Sequence, residues 1–429
     1  MPVIDIQNLS PEKVNYSIIK SSGDKGLSAL KLGVLILMVI SVTINYIDRG
    51  SLSIAAPLLS TELMLSPAQL GMLFSAFFWS YALLQILSGW LVDRYNVIWV
   101  MAIGFFIWSV ATAATGMVNT IGILFLLRLL LGVGESVAYP CYSKIIVSNY
   151  PEHQRGLANS LIDAGTKVGP ALGTLIGGIL MARFGWRPIF IFLGLGSLLW
   201  LPAWFRWTPK GSIQGQKVAG DGPGFKEILA QRAVVATSIG HFSGNYFWYF
   251  LLTWMPYYLV RERGFTMDTM AIVGSLAYFV TAISTTVTGW LADRAIASGQ
   301  TATRIRKRCT ITGLTLASVV MAVVIIPGSA ASMAILIFAC LSYGIFASSH
   351  WAIAQTIAGP SAAGKWSGVQ NSFANMSGVA APAITGFVVN KTGQFFWAFA
   401  VAAVVVLIGA SAYAFLLGPV ETIKWKVKA

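Results

Sequence analysis

The chain has 429 residues, of which 56% are apolar and only 10% charged, with a mean hydropathy of +0.73. A soluble globular domain carries about 25% charged residues, so this composition excludes a soluble enzyme or a nucleic-acid-binding domain, despite a formal net charge of +14. It predicts a polytopic, all-α membrane protein whose surroundings are the lipid bilayer.

Residues 1–30 are polar and mixed in charge, with none of the short apolar core or small-residue cleavage site of a signal peptide. They read as a cytoplasmic tail. Hydropathy then predicts twelve spans, near 31–57, 68–92, 97–118, 120–147, 156–182, 187–206, 231–260, 269–292, 307–327, 332–356, 363–390 and 394–418. They fall into two groups of six, at 31–206 and 231–418. Between them lies a Gly-, Lys- and Pro-rich segment at 207–230, which reads as a flexible cytoplasmic linker. A second tail follows at 419–429. An even number of spans puts both termini on one side. Lys13, Lys20 and Lys25 at one end and Lys424, Lys426 and Lys428 at the other make that side the cytoplasm, since basic residues collect there. Cys141, Cys309 and Cys340 show neither metal-ligand nor paired spacing and read as thiols in helix packing; no metal or organic cofactor is implied.

The first span carries two adjacent charges, Asp48 and Arg49, which point about 100° apart on a helix. One arrangement has Arg49 facing a cavity and Asp48 facing the fourth span. The second span ends in Gly89-Trp90-Leu91-Val92-Asp93-Arg94, and the eighth in Gly289-Trp290-Leu291-Ala292-Asp293-Arg294. Two near-identical segments at equivalent places imply an internal repeat of two bundles. A glycine permits close helix approach, and Asp93, Arg94, Asp293 and Arg294 could form a latch that closes in one conformation and opens in another.

The fourth span carries Arg128 and Glu135 within an apolar run. An ionised group at the bilayer centre costs about 2.5–3.5 kcal/mol on insertion scales. Seven residues apart, the two share a helix face about 10 Å apart along the axis. That face must meet water or opposite charge. Asp163 and Lys167 in the fifth span, at i and i+4, favour an internal ion pair. Alternatively, Lys167 is a third cation for a more highly charged ligand. The six ionisable residues within spans sum to zero when all are charged. Protonating one or two acids would make the interior net positive and receptive to an anion. Two membrane arginines argue against a cationic drug as ligand, though they leave anion exchange or export open.

The pattern is specific enough to resemble a family. The G-x-L-x-D-R loops resemble those of the major facilitator superfamily, although Asn96, Val97 and Ile98 replace the usual glycine and basic residues after the first copy. In the second, the basic cluster comes later, at Arg304, Arg306, Lys307 and Arg308. Asn45-Tyr46-Ile47-Asp48-Arg49, Ser75–Tyr81, the Arg128/Gly132/Glu135/Pro140 set, Tyr150–Arg155 and Leu252–Leu259 resemble the anion:cation symporters within it. That group includes galactonate, glucarate and hexuronate permeases and is similar to vesicular glutamate transporters and sialin.

The resemblance implies two six-helix bundles and a probable monomer that imports a small organic anion, such as a sugar acid or other carboxylate, with protons as the coupling ion and by alternating access across an inner membrane. It implies that Asp48 and Glu135 carry protons and that Arg128 pairs with an acid in one state and with a substrate carboxylate in another. Tyr46, Arg49, Tyr81, Thr166, Lys167, Asn245, Tyr249, His350, Trp351 and Asn371 would complete the substrate site. His350 replaces a small hydroxyl residue of the galactonate permeases, so the ligand could differ. His241, in the seventh span, reads as an uncharged packing or pore-lining residue. No nucleophile–base constellation or phosphate-binding loop points to an enzyme.

Overall fold

The computed structural model describes residues 24–149, 152–208 and 223–425. Among these, twelve helical segments are long enough to cross a membrane, and no strand occurs. They are α1 (Asp24–Glu62), α2 (Pro67–Arg94), α3 (Val97–Thr115), α4 (Ile121–Ile146), α5 (152–184), α6 (Trp186–Trp207), α7 (Arg232–Arg261), α8 (Met267–Ala297), α9 (Ala302–Ile325), α10 (Ser329–Gly359), α11 (Lys365–Thr392) and α12 (Phe396–Leu416). Ten are apolar enough to be recognised as spans by composition alone. The exceptions are α5, with Asp163 and Lys167, and α7, with His241, Asn245 and a run of Tyr and Trp. Every residue of α7 from Tyr246 to Leu259 is buried. A helix enclosed by protein is released from the lipid's demand for an apolar surface.

The helices form two bundles, α1–α6 and α7–α12. Within the first, α1 packs on α5, α2 and α6 flank α3 and α4, and within the second α7 packs on α11 and α12 and α8 on α10. An arginine secures the same end of each. Arg187 at the start of α6 donates to both Glu62 and the carbonyls of Gly116 and Val118. Arg263 after α7 donates to the carbonyls of Val323 and Ile326 and to Ser332. Each cation thus satisfies carbonyls freed where the third helix of its bundle ends.

The bundles meet through α2 with α11, α1 with α7, and α5 with α8. Gly71 and Gly386 bring α2 and α11 into backbone contact: a methyl group on Gly71 would lie 2.6 Å from the Pro382 carbonyl oxygen, and one on Gly386 2.5 Å from that of Pro67. Ser75 donates to the Val379 carbonyl at 2.9 Å and Ser53 to that of Leu252 at 2.7 Å. Phe74 meets Trp254 edge-on at 5.4 Å. These contacts lie toward the end bearing the 62–67 and 261–267 loops, which is therefore closed.

At the opposite end the glycines of the repeated motif stand clear of other helices. Gly89 has no neighbouring helix within 4 Å of where a side chain would begin, and Gly289 only Ser348 Cβ at 3.9 Å. The motif glycines do not mediate close packing with a described neighbour in this conformation. The linker expected to be flexible includes a short helix, Phe225–Leu229, anchored by the fully buried Ile228; positions 209–222 lie outside the described residues, as do the tail positions 1–23. The helix of α1 begins inside the expected tail, at Asp24. The second tail docks instead of extending. Ile423 N–H, Thr422 Oγ1 and Trp425 Nε1 donate to the carbonyls of Ile357, Thr356 and Ala358. Those carbonyls are freed where the chain kinks at Gly359, whose φ of +66° favours glycine.

This packing makes a prediction. Gly71→Val inserts atoms between α2 and α11, so the closed end should open. Chemical cross-linking between cysteines at positions 75 and 379 should fall several-fold relative to the Gly71 protein; unchanged cross-linking would show that the contact does not hold that end shut.

Candidate functional site

All six predicted intramembrane charges lie in the first bundle, and four of them cluster between α1 and α4. Arg49, midway along α1, donates from Nε to Oε2 of Glu135 at 2.7 Å, and both side chains are buried. Its guanidinium lies 4.7 Å from the ring of Tyr46, 4.8 Å from Phe77 and 4.5 Å from Tyr81. Aromatic faces attract a cation electrostatically, so three rings from α1 and α2 fix its position. Glu135 ends the first helical stretch of α4, just before that helix breaks and resumes at Ala138.

Asp48 is buried beside Arg128, Glu135 and Thr112 and forms no ion pair among the described residues. Arg128 is also buried, 5.5 Å from the Phe77 ring. Among the described residues it forms no ion pair, and its Nε has no partner. Unpartnered too are Glu135 Oε1, Arg49 Nη2 and both amide atoms of Asn45. In this conformation Arg49 holds the acid, and Arg128 lies near Glu135 and Asp48 without an ion pair among the described residues. The reason is geometric, since the Tyr46, Phe77 and Tyr81 rings aim Arg49 at Glu135.

Asp163 and Lys167 pair with each other as their spacing suggested, at 2.8 Å, and Lys167 also donates to Thr166 at 3.1 Å. Asp163 remains largely exposed. The pair faces His350 of the second bundle, so it lies apart from the Arg49 cluster.

In the second bundle, Tyr249 donates to Asn375 Oδ1 at 3.1 Å, and its ring meets Phe78 of α2 at 4.5 Å. Tyr249 thereby spans the two halves near Arg49. Asn245 and Asn371 are half-buried and make no hydrogen bond among the described residues. The amides that do are their helix neighbours: Asn375 with Tyr249, and Gln370 with His241 at 3.2 Å. Sequence reasoning missed Asn375 and Gln370; the signal was three amides within positions 370–375 of one membrane helix, from which it took only Asn371. His350 and Trp351 lie together, ring centroids 5.4 Å apart, and His241 joins both.

The repeat motifs share a local geometry. Arg94 lies over the Trp90 ring at 5.5 Å and Arg294 over Trp290 at 5.4 Å. Asp293 accepts a 3.2 Å bond from Arg306 of α9, one of the basic residues singled out by the sequence. That link joins α8 to α9 inside one bundle. The side chain of Asp93 lies outside the described residues, as do Tyr150 and Pro151.

Nothing in this arrangement resembles a catalytic centre. It is a set of buried cations and acids inside the first bundle, next to the seam where Tyr249 of the second bundle approaches Arg49. Comparison with known proteins agrees. The chain is 29% identical to a hexuronate transporter of Bacillus subtilis, covering 87% of this chain and 91% of that protein. It is 26% identical to a probable galactarate/D-glucarate transporter of the same organism, covering 96% and 97%. The crystal structure of a bacterial homolog of the human lysosomal transporter Spinster superposes with a TM-score of 0.77 at 21% identity, covering 92% of this chain and 98% of that one, which extends the agreement to the fold. Residues 38–378 match the Major Facilitator Superfamily, and the chain, a multi-pass membrane protein and not an enzyme, belongs to that family.

Proposed function

We propose that the chain is a secondary transporter that imports a small organic anion, a sugar acid or other carboxylate, together with protons by alternating access. It would act as a single subunit in the inner membrane, with both termini in the cytoplasm. The observation that carries this reading is the buried Arg49–Glu135 bond with Arg128 and Asp48 buried beside it, neither in an ion pair among the described residues. A buried ion pair is a poor stabiliser, because desolvation can exceed the Coulombic gain, and a buried charge outside an ion pair is costlier still. A network short of partners is suited to exchanging them. The names of the relatives, transporters of hexuronate and probably of galactarate and glucarate, support an acidic substrate.

The chemistry follows from which group holds which. With Glu135 ionised, its carboxylate occupies Arg49. A proton on Glu135 weakens that bond and frees the Arg49 fork for a substrate carboxylate, while a second proton on Asp48 removes the other negative charge near Arg128. Substrate and protons are then bound together. Release of the protons restores the Arg49–Glu135 bond, which displaces the anion. The closed 62–67 and 261–267 end fits a state open to the cytoplasm, where that release would occur.

Two outcomes test this reading in reconstituted vesicles. Glu135→Gln should abolish accumulation driven by a proton gradient while retaining counterflow exchange of a labelled sugar acid; undiminished accumulation would refute the assignment. Arg49→Lys and Arg128→Lys keep the charge but lose the fork, and the loss of a charge-assisted hydrogen bond costs about 1.5–3 kcal/mol. Each should therefore weaken ligand binding by roughly 10- to 100-fold, measured by thermal stabilisation against ligand concentration. Binding at the original affinity would make these arginines structural.

A further inference from the structure

The Arg49 cluster draws on the first bundle, but a second polar group on the facing bundle is not used by it. His241 of α7, His350 of α10 and Gln370 of α11 are all buried there. The two imidazole centroids are 4.5 Å apart, and Trp351 lies against His241 at 4.8 Å. Phe346 stacks on His350 at 5.0 Å.

The hydrogen-bond partners assign the protons. The Ala347 carbonyl can only accept, so His350 Nδ1, 3.0 Å away, carries a proton and donates. As a neutral imidazole, His350 then keeps a lone pair on Nε2. The Gln370 amide nitrogen donates to His241 Nδ1 at 3.2 Å, which places the His241 proton on Nε2. The remaining amide atom, Gln370 Oε1, is buried without a partner. This corner therefore offers two acceptors and one donor.

Its charge is also settled. Asp163 and Lys167, which face His350 from α5, are closed on each other and contribute no net charge. At the other site, Arg49 and Arg128 face Glu135 and Asp48, so the positive charge that protonated acids uncover lies there and not beside the histidines. His241 precedes Tyr249 by eight residues, about 12 Å along α7, and Tyr249 stands beside Arg49. An elongated ligand with its carboxylate at Arg49 would present its far end to the histidines.

We infer that His241, Gln370 and His350 form a subsite that reads the neutral, hydroxylated end of a single-carboxylate anion and rejects a second carboxylate there. The inference rests on the anion-transport reading above. A hydroxyl both donates and accepts, and can satisfy Gln370 Oε1 or the His350 lone pair. A carboxylate only accepts: it can take the single His241 N–H, but it meets the two lone pairs unfavourably, with no unpaired cation beside them among the described residues to compensate. A site built to bond a hydroxyl also discriminates against an analogue that lacks it, because its own polar groups are left unpaired.

The test is binding of three matched six-carbon acids to the purified full chain, in the galactose and glucose series: the aldonate, the corresponding aldarate, and the 6-deoxyaldonate. The aldonate should bind at least tenfold more tightly than either of the others. Gln370→Met and His350→Phe should shrink those ratios to about twofold or less. An aldarate or 6-deoxyaldonate that binds as tightly as the aldonate overturns the subsite while leaving the anion reading intact, and needs no variant. Ratios unchanged in well-folded variants, judged by their melting without ligand, also overturn it. Failure of all these acids to bind would overturn the subsite; the anion reading falls only if other carboxylates also fail to stabilise the protein.

Discussion

The bond between Arg49 and Glu135 is the interaction on which the rest of the centre depends. It places two charges where neither lipid nor bulk water can solvate them, and at 2.7 Å it leaves Glu135 Oε1 and Arg49 Nη2 unsatisfied. Such a pair persists only because its surroundings hold it in place. Tyr46, Phe77 and Tyr81 surround the guanidinium, and Glu135 is carried at a helix break. Position is secured by aromatic packing, while hydrogen bonding is left incomplete. That combination gives a rigid site whose partners can change.

The same division of labour extends to the whole molecule. Within each bundle, Arg187 or Arg263 ties helix ends to a loop through several bonds. Between bundles the contact is close but carries no ion pair among the described residues: glycines at 71 and 386, two serine hydroxyls donating to carbonyls, and aromatic edges. Bundles fastened internally by charges and joined by packing and single hydrogen bonds can rock against each other as units, as the repeat architecture of such proteins requires. Tyr249 and Phe78 meet across the seam near Arg49, so a change of partners at the charges is adjacent to the surface that would move.

Much of this was legible in the sequence. Charges in apolar runs located Asp48, Arg49, Arg128 and Glu135, because their cost in lipid admits few alternatives. The i, i+4 spacing of Asp163 and Lys167 fixed their pairing, a local geometry. The repeat of Gly89–Arg94 at Gly289–Arg294 gave the two bundles. What was not legible depended on three-dimensional neighbours. Which arginine takes Glu135 is decided by rings on two helices, and the bonding amides of α11 are Gln370 and Asn375 because those face α7. The open packing around Gly89 reflects a conformation, which a sequence does not specify. The docking of residues 422–425 on carbonyls 356–358 likewise depends on a kink at Gly359.

The central claim is that anion and proton cross together. It is tested most directly with a pH-sensitive dye inside vesicles containing the purified protein, with equal pH on both sides and no internal anion substrate. Adding a transported sugar acid outside should acidify the interior, since each anion brings protons down its own gradient. Entry of the labelled acid with no change in internal pH, or only when another anion waits inside, would contradict the account.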